Sequence, residues 1–187
     1  MKIKRIHTPL TEDQIRGLKA GDQVRICGTI YTARDAAHAK MVEALEKGQP
    51  LPMELEGALI FYAGPTPAKP GMPVGSLGPT TSGRMDAFAP KLLAQGLKGM
   101  MGKGPRSQAV QEAAVRYGAV YFAALGGAGA LLAKHVKHRE VVAYPELQSE
   151  AVARLIVEDF PCMVALDAHG GNAYIDGPNA YRNNVKL

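Results

Sequence analysis

The sequence lacks the residues that indicate several common kinds of site. It contains no Trp and only two cysteines, Cys27 and Cys162. These two lie far apart and form neither a Cys-x-x-Cys pair nor a Cys/His pattern, so we expect no metal site formed by this chain. Both have apolar neighbours in the sequence, and we expect them to be buried thiols.

Long hydrophobic segments are also missing. No apolar run approaches the roughly 20 residues that a membrane-spanning helix needs. The basic segment at residues 1–9 is not followed by the apolar core of a signal peptide. We therefore expect a soluble, cytoplasmic protein with no membrane partner.

Aromatic residues are absent where nucleic-acid binding would need them. The chain has seven Tyr and four Phe, and none lies within the basic run Lys134–Arg139. Without such side chains to stack on bases, the run is a weak candidate for a nucleic-acid site. We interpret it as the solvent-exposed end of a helix and expect no nucleic-acid partner.

The residues that are present suffice for one folded domain. A chain of 187 residues with 47% hydrophobic and 21% charged residues can fill a core. Its net charge of +5 weakly favours anionic ligands. Predicted strands alternate with helices, which is typical of an α/β fold with a mixed sheet and flanking helices. We expect a single domain, 1–187, with a loose tail from residue 178.

Hydrophobic periodicity and turn residues place the individual elements. Ser107 is the expected N-cap of a helix that Gly118 ends, and Gly48 ends the helix before it. The predicted helices span residues 35–47, 107–117 and 147–157, with a short one opened by the glycines at 126–129. The predicted strands span residues 24–31, 58–62, 97–101, 119–123, 141–144 and 163–167.

The segment Gly78–Asp86, with the sequence GPTTSGRMD, is the most informative part of the chain. It ends a loop, residues 64–83, that holds five of the 13 prolines, and so long a loop is usually functional. Apolar residues recur at helical spacing after it, so its hydroxyls and Arg84 are predicted at a helix N-terminus, where free N–H groups bind anions. The alternative is a capped loop in which Thr81 or Ser82 only satisfies the helix start.

Two further cations follow predicted strands. Arg34 precedes a helix at the end of a strand, a position where ligands commonly bind; the alternative is a surface arginine that pairs with Asp35 or Glu43. Lys103 lies between two glycines that allow a ligand to approach the backbone, although the segment fails the phosphate-loop pattern. The glycines at 126–129 fail the dinucleotide pattern and serve either close packing or ligand approach.

Five segments are informative as an ordered set. They are Gly28–His38 (GTIYTARDAAH), Gly78–Asp86, Gly99–Gly104 (GMMGKG), residues 126–132 (GGAGALL) and Val157–Pro161 (VEDFP). In that order they resemble the β subunit of two-subunit class I fumarate hydratase and the similar β subunit of L-tartrate dehydratase. The resemblance covers roughly residues 10 to 177. It implies a swivelling β/β/α-type domain and the reversible hydration of fumarate to (S)-malate.

The resemblance also implies a cofactor and a partner. Chemistry in this family depends on a [4Fe–4S] cluster, which normally requires three or four thiolates. The implied enzyme is therefore a hetero-oligomer in which an α subunit carries the cluster and this chain holds no metal. For the C4 dicarboxylate substrate, the resemblance implies a clamp formed by Arg34, Arg84 and Lys103, with Thr81 beside it.

Thr80 is implied as the hydroxyl beside the substrate carbon that loses or gains a proton, with Lys103 as the second catalytic residue. A threonine alkoxide is disfavoured at pH 7, so neighbouring cations such as Arg84 must assist it. His38 and Asp86 are expected to support these residues from behind.

Two other functions stay open. L-Tartrate dehydratase acts on a C4 diacid that differs by one hydroxyl, and no residue in this sequence clearly recognises that group. A function of another class is a stand-alone module that binds small anions without catalysis.

Overall fold

One mixed β-sheet forms the centre of the molecule. The computed structural model describes residues 3–184, and no helix within them is long and apolar enough to cross a bilayer. The strands are β1 (Lys4–His7), β2 (Gln23–Thr32), β3 (Leu59–Phe61), β4 (Gly99–Gly102), β5 (Val120–Ala123), β6 (Val136–Ala143) and β7 (Val152–Leu166). The α-helices are α1 (Glu12–Arg16), α2 (Asp35–Glu46), α3 (Ala89–Leu93), α4 (Gln108–Arg116), α5 (Gly129–Ala133) and α6 (Ala173–Asn184).

Strand β7 closes the sheet into a ring. Strands β1 to β5 pair in sequence order as parallel neighbours, whereas β7 runs antiparallel to β2, β5 and β6. Because β7 pairs with both β2 and β5, the strands β2, β3, β4, β5 and β7 form a closed set of neighbours. The expected α/β fold with a mixed sheet and flanking helices is confirmed.

Alternate residues of the ring strands pack on its two sides. Leu59 and Phe61 belong to the inner cluster, where Phe61 meets Phe160 of β7 edge to face with ring centroids 5.5 Å apart. Ile60 and Tyr62 belong to a second cluster, which α2, α3 and α4 cover. The strand period of two thus gives β3 two buried faces, which explains its unbroken apolar sequence.

Helices α2 and α4 begin and end close to the predicted residues. The Ser107 side chain accepts a hydrogen bond from the backbone N–H of Val110, which caps α4. Gly48 and Gly118 follow the two helices with φ of 65° and 60°, a backbone conformation that glycine adopts without strain.

The predicted helix over residues 147–157 is wrong. Residues Pro145–Glu150 form a 3₁₀ segment, and β7 begins at Val152. Val152, Leu155 and Ile156 fit helical spacing, but Leu155 and Ile156 pair with β2 on one side and β6 on the other, and Val152 pairs with β6. Pairing on both sides decides the structure of a short segment whose own periodicity is ambiguous.

Two smaller expectations are also corrected. Most of the basic run Lys134–Arg139 opens β6, which pairs only with β7 among the described residues, and its charged side chains protect this edge of the sheet. Residues 178–184, where we expected a loose tail, are helical, since α6 continues past Pro178 to Asn184. At the start of this helix, Oδ1 of Asn172 accepts from the N–H of Tyr174 at 3.0 Å. Residues 185–187 lie outside the described part of the chain.

Candidate anion-binding site

Most of the segments singled out in the sequence meet at one edge of the ring. Strands β2, β3, β4 and β5 are parallel, so their carboxyl ends lie together, as at the ligand-binding edge of many α/β proteins. Arg34 follows β2 by two residues and Lys103 directly follows β4. Gly126, in the loop after β5, lies beside Lys103, since a Cβ built on it would be 3.8 Å from Cδ of the lysine.

The long loop returns to this edge through backbone hydrogen bonds. The N–H of Thr80 donates to the carbonyl of Tyr62 at 2.7 Å, and the N–H of Lys103 donates to the carbonyl of Thr80 at 3.2 Å. Ser82 in turn donates its N–H to the Lys103 carbonyl at 2.9 Å, and Thr81 pairs with Lys103 in a parallel bridge. The two threonines and the lysine are therefore neighbours on a fixed backbone.

Glycines make this close approach possible. A Cβ on Gly102 would overlap the Ser82 hydroxyl. A Cβ on Gly129 would lie 3.0 Å from the amide nitrogen of Gly78, and the Leu77 N–H donates to the Gly129 carbonyl at 3.0 Å. Close packing is thus the reading that the structure supports at Gly129.

The expected helix after Gly78–Asp86 does not form as one element. Residues Ser82–Met85 are a single 3₁₀ turn, and α3 is only five residues long with a proline near its start. Thr81 makes no side-chain capping bond. The polar cluster therefore lies on a loop held by strand ends, and a helix N-terminus is not its source of positive potential.

Arg34 is paired with acidic residues of its own chain. Its Nη2 lies 3.0 Å from Oε1 of Glu150, and its Nε lies 3.8 Å from Oδ1 of Asp35. The Arg34 side chain is 22% exposed. Pairing with Asp35 was anticipated as an alternative, whereas Glu150 was not, because it lay in the segment predicted as helix.

Arg84 and Lys103 contrast with Arg34. Both are exposed, and neither has a carboxylate within 4.0 Å among residues 3–184. The structure therefore presents two cations without acidic partners at the edge where Thr80 and Thr81 lie, beside a third cation that is neutralised.

A buried polar network that the sequence did not reveal supports this loop. The Arg106 side chain is completely buried, and its Nε donates to Oδ1 of Asp86 at 2.6 Å. The other carboxylate oxygen of Asp86 accepts the N–H of Ser107 at 2.6 Å. The guanidinium carbon lies 5.2 Å and 5.0 Å from the ring centroids of Tyr62 and Tyr121. Two aromatic faces and one carboxylate thus stabilise this buried charge.

Tyr121 ties the network to both loops. Its hydroxyl donates to the Gly104 carbonyl at 2.9 Å and lies 2.9 Å from Oγ of Ser82. Burial raises the pKa of Tyr121, so the phenol stays protonated and remains a donor. Arg106 and Tyr121 were missed because a lone arginine after Gly-Pro and an aromatic residue in a strand carry no recognisable spacing.

His38 lies behind Arg34 and is completely buried. Its Nδ1 donates to the Arg34 carbonyl at 2.9 Å, and its ring meets that of Tyr62 edge to face with centroids 5.2 Å apart. Burial lowers the pKa of His38 from 6.5 to about 4, so the imidazole is neutral at pH 7. With Nδ1 as donor, Nε2 carries the lone pair, and it has no partner within the described residues.

Known proteins are similar to this chain over most of its length. A family model described as Fumarase C-terminus matches residues 1–177. The anaerobic class I fumarate hydratase of Escherichia coli (strain K12) is 41% identical over 163 residues, which are 86% of this chain and 30% of that protein. Fumarate hydratase 2 of Leishmania major is 39% identical over 163 residues, 86% of this chain and 29% of that protein. The putative L(+)-tartrate dehydratase subunit beta of Methanocaldococcus jannaschii is 40% identical over 171 residues, 88% of each chain.

The chain therefore belongs to the Fumarase C-terminus family. The resemblance inferred from five ordered segments is confirmed. The chain spans about 30% of the length of the fumarate hydratases that it matches, but 88% of the putative tartrate dehydratase subunit.

The thiols of this chain do not fit an iron–sulfur cluster. Cys27 is buried on β2, and its sulfur accepts the N–H of Asp159 at 3.3 Å. Cys162 lies on β7 and is only partly buried, so the expected burial is found for Cys27 alone. Two cysteines fall short of the three or four thiolates that a [4Fe–4S] cluster needs, and no group of three acidic, His or Cys side chains within residues 3–184 could hold a metal ion.

Protonation of His38 should make the stability of the chain depend on pH. The folded chain holds the pKa of His38 near 4, while the unfolded value is 6.5, so only the unfolded state gains a proton between these values. The free energy of unfolding should fall by about 3 kcal/mol as the pH decreases from 6.5 to 4. Urea unfolding at several pH values measures this loss. In the His38→Gln variant, this fall in the free energy of unfolding should be absent. The same dependence of unfolding free energy on pH in both proteins would contradict the prediction.

Proposed function

We propose that this chain is the β subunit of a hydro-lyase that reversibly hydrates fumarate to (S)-malate. The observation that carries the proposal is that Arg34, Lys103 and the loop with Thr80 and Arg84 lie at one edge of the sheet. Three cations beside a dianion offset the high cost of removing its two carboxylates from water. Membership of the Fumarase C-terminus family and the names of the relatives support the same reaction class.

In this proposal the active site is shared with an α subunit. The fumarate hydratases that match are more than three times as long as the matched segment, whereas a relative named as a beta subunit matches along 88% of its length. Since the thiols of this chain do not fit a [4Fe–4S] cluster, we assign the cluster to the α subunit.

Two of the clamp residues, Arg84 and Lys103, have no acidic partner among the described residues. Both are exposed, so they are ready to bind substrate carboxylates. The charge that builds on a carboxylate when the adjacent C–H bond breaks is stabilised by the same cations, which therefore act in the transition state as well as in binding.

Thr80 is the candidate for proton transfer. It is half-buried, and hydrogen bonds to Tyr62 and Lys103 fix its backbone on both sides. Its hydroxyl is a weak base, so the field of Lys103 and Arg84 is required to stabilise the alkoxide. The buried Arg106–Asp86 pair supports the loop, and His38, which donates to the Arg34 carbonyl, is neutral at pH 7.

L-Tartrate dehydration is the second candidate function. It is favoured by the match to the putative tartrate dehydratase subunit, which covers 88% of both chains. The third reading, a stand-alone module that binds small anions, requires only the exposed cations and no proton transfer by Thr80.

The proposal is tested by assembling the complete enzyme. We expect the chain, purified anaerobically with an α subunit that has at least three well-spaced cysteines, to hydrate fumarate, and the chain alone to be inactive. Activity is measured with fumarate, (S)-malate and both tartrates. A higher kcat/KM for L-tartrate than for fumarate would show that tartrate is the substrate. Binding of these anions without turnover would favour the stand-alone module.

Removal of each clamp cation should weaken catalysis without unfolding the protein. Losing one charge-assisted contact costs about 1.5–3 kcal/mol, so Arg34→Ala, Arg84→Ala and Lys103→Ala should each lower kcat/KM roughly ten- to 150-fold. Arg84→Lys should not restore the rate if the contact is bidentate. Arg116→Ala, an exposed arginine at the end of α4, is the matched control and should match the wild type. A clamp variant with wild-type kcat/KM removes that residue from the clamp.

Substitution of Thr80 should affect the chemical step more than binding. Thr80→Ala and Thr80→Val should lower kcat far more than they raise KM, whereas Thr80→Ser, which keeps the hydroxyl, should retain activity. NMR measures exchange of the substrate C3 proton with deuterated solvent in the anaerobic complex. If Thr80→Ala exchanges this proton at the wild-type rate, another residue is the base. A structural role alone predicts a stability loss of about 1 kcal/mol with little kinetic change.

A further inference from the structure

Arg34 is the only one of the three clamp cations that its own chain neutralises within residues 3–184. Glu150 holds Nη2 of Arg34 at 3.0 Å, and Asp35 adds a second carboxylate 3.8 Å from Nε. The Nε itself is buried and has no hydrogen-bond partner among the described residues. A substrate carboxylate that approaches Arg34 therefore meets a guanidinium with an unused buried donor and an acidic residue already in place.

Glu150 reaches Arg34 from a segment that lies across the sheet edge. We call residues Tyr144–Glu150 the strap; it connects β6 with β7. A Cβ built on Gly64, just after β3, would lie 2.8 Å from the carbonyl oxygen of Ser149 and 3.4 Å from Cδ of Arg34. The strap backbone thus rests on the end of β3, beside the stem of the arginine.

The strap is anchored at one end and strained at two positions. Lys40 of α2 pairs with Glu146 at 2.9 Å and lies 5.3 Å from the ring centroid of Tyr144. Tyr144 has φ 54° and ψ 50° directly before a proline, and Gln148 has φ 54° and ψ −111°. Both conformations are unfavourable for residues other than glycine. The half that carries Glu150 is therefore strained and lacks the ion pair that holds the other half.

On the basis of the proposed function, we propose that Glu150 is an exchangeable counter-ion that makes Arg34 selective for dicarboxylates. It neutralises Arg34 in the empty site, and the second carboxylate of the substrate replaces it. A dianion that is bound through Arg84 and Lys103 presents its second carboxylate to Arg34 at high effective concentration. A monocarboxylate that occupies the same two cations has no group to displace Glu150.

The alternative is that Glu150 stays in place and orients Arg34 while substrate is bound. Two carboxylates would then share one guanidinium in a half-buried position, with Asp35 close by. The carboxylates of Glu150 and the substrate would repel each other on the same guanidinium, and the bound dianion would remain incompletely paired. Charge balance therefore favours exchange.

Glu150→Gln separates the two cases, because it keeps an oxygen acceptor but removes the competing charge. We expect the inhibition constant for succinate in the assembled enzyme to fall roughly two- to fivefold, as for loss of a partly exposed ion pair, while that for propionate is unchanged. In an Arg34→Ala background, the same substitution should have no effect on succinate. Glu140→Gln is the matched control, since it removes the same charge from a different arginine–glutamate pair, in which Glu140 lies 2.6 Å from Arg154.

Weaker or unchanged succinate inhibition in Glu150→Gln would overturn the proposal, as would an equal gain for propionate. An NMR titration of the assembled enzyme with succinate distinguishes this failure from failure of the proposed function. Dicarboxylate-dependent shifts at Arg84 and Lys103, without a Glu150-dependent change in the Arg34 Nε–Hε signal, would refute the exchange alone. No response at any of the three cations would refute both the exchange and the proposed dicarboxylate site.

Discussion

The antiparallel pairing of β7 with both β2 and β5 is the constraint on which the site depends. It closes the ring and so fixes the order of four parallel strands, whose carboxyl ends then share one edge. Side chains that are tens of residues apart in sequence, such as Arg34 and Lys103, are brought to that edge by strand order alone. The site needs no long helix, since Thr80 is followed by a 3₁₀ turn and then by the five-residue helix α3.

A buried ion pair holds the loop at residues 78–86 in place, and it leaves Arg84 without an acidic partner among the described residues. Arg106 is buried, but one carboxylate and two aromatic faces stabilise it, and breaking such a pair by removing one partner is strongly destabilising. Arg84 lies only two residues before Asp86 and has no carboxylate partner among the described residues. The acidic residue nearest to it in sequence is therefore occupied by the buried arginine and cannot neutralise the exposed one.

Local signals in the sequence sufficed for much of the fold. Ser107 and Gly118 bracket α4 as predicted, because capping and positive φ are properties of single residues. Only the end of β7 was predicted as a strand, within residues 163–167, since Val152, Leu155 and Ile156 in its first part fit a helix equally well until their strand partners are known. Misplacing this one element also concealed the strap and the contact of Glu150 with Arg34.

The candidate site was accessible to the sequence only where residues carry a pattern. Thr80, Arg84 and Lys103 lie in segments with unusual glycine spacing, and the structure places them at one edge. Arg106 and Tyr121 have no such pattern, because their roles depend on burial and on contacts across the fold. Their identification required coordinates.

The exposure of Arg84 and Lys103 sets a physical limit on what the chain can do by itself. Charges in contact with bulk water attract a carboxylate by only about 1 kcal/mol at 4 Å, and the same pairs are several times stronger where solvent is partly excluded. The proposed clamp of two exposed cations and one neutralised arginine would therefore be weak until another surface covers this edge. Covering it would also give Thr80, the proposed proton-transfer residue, the low-dielectric surroundings in which nearby cations stabilise an alkoxide. The electrostatics of the edge thus support the proposed partner subunit, in addition to the shortage of thiols.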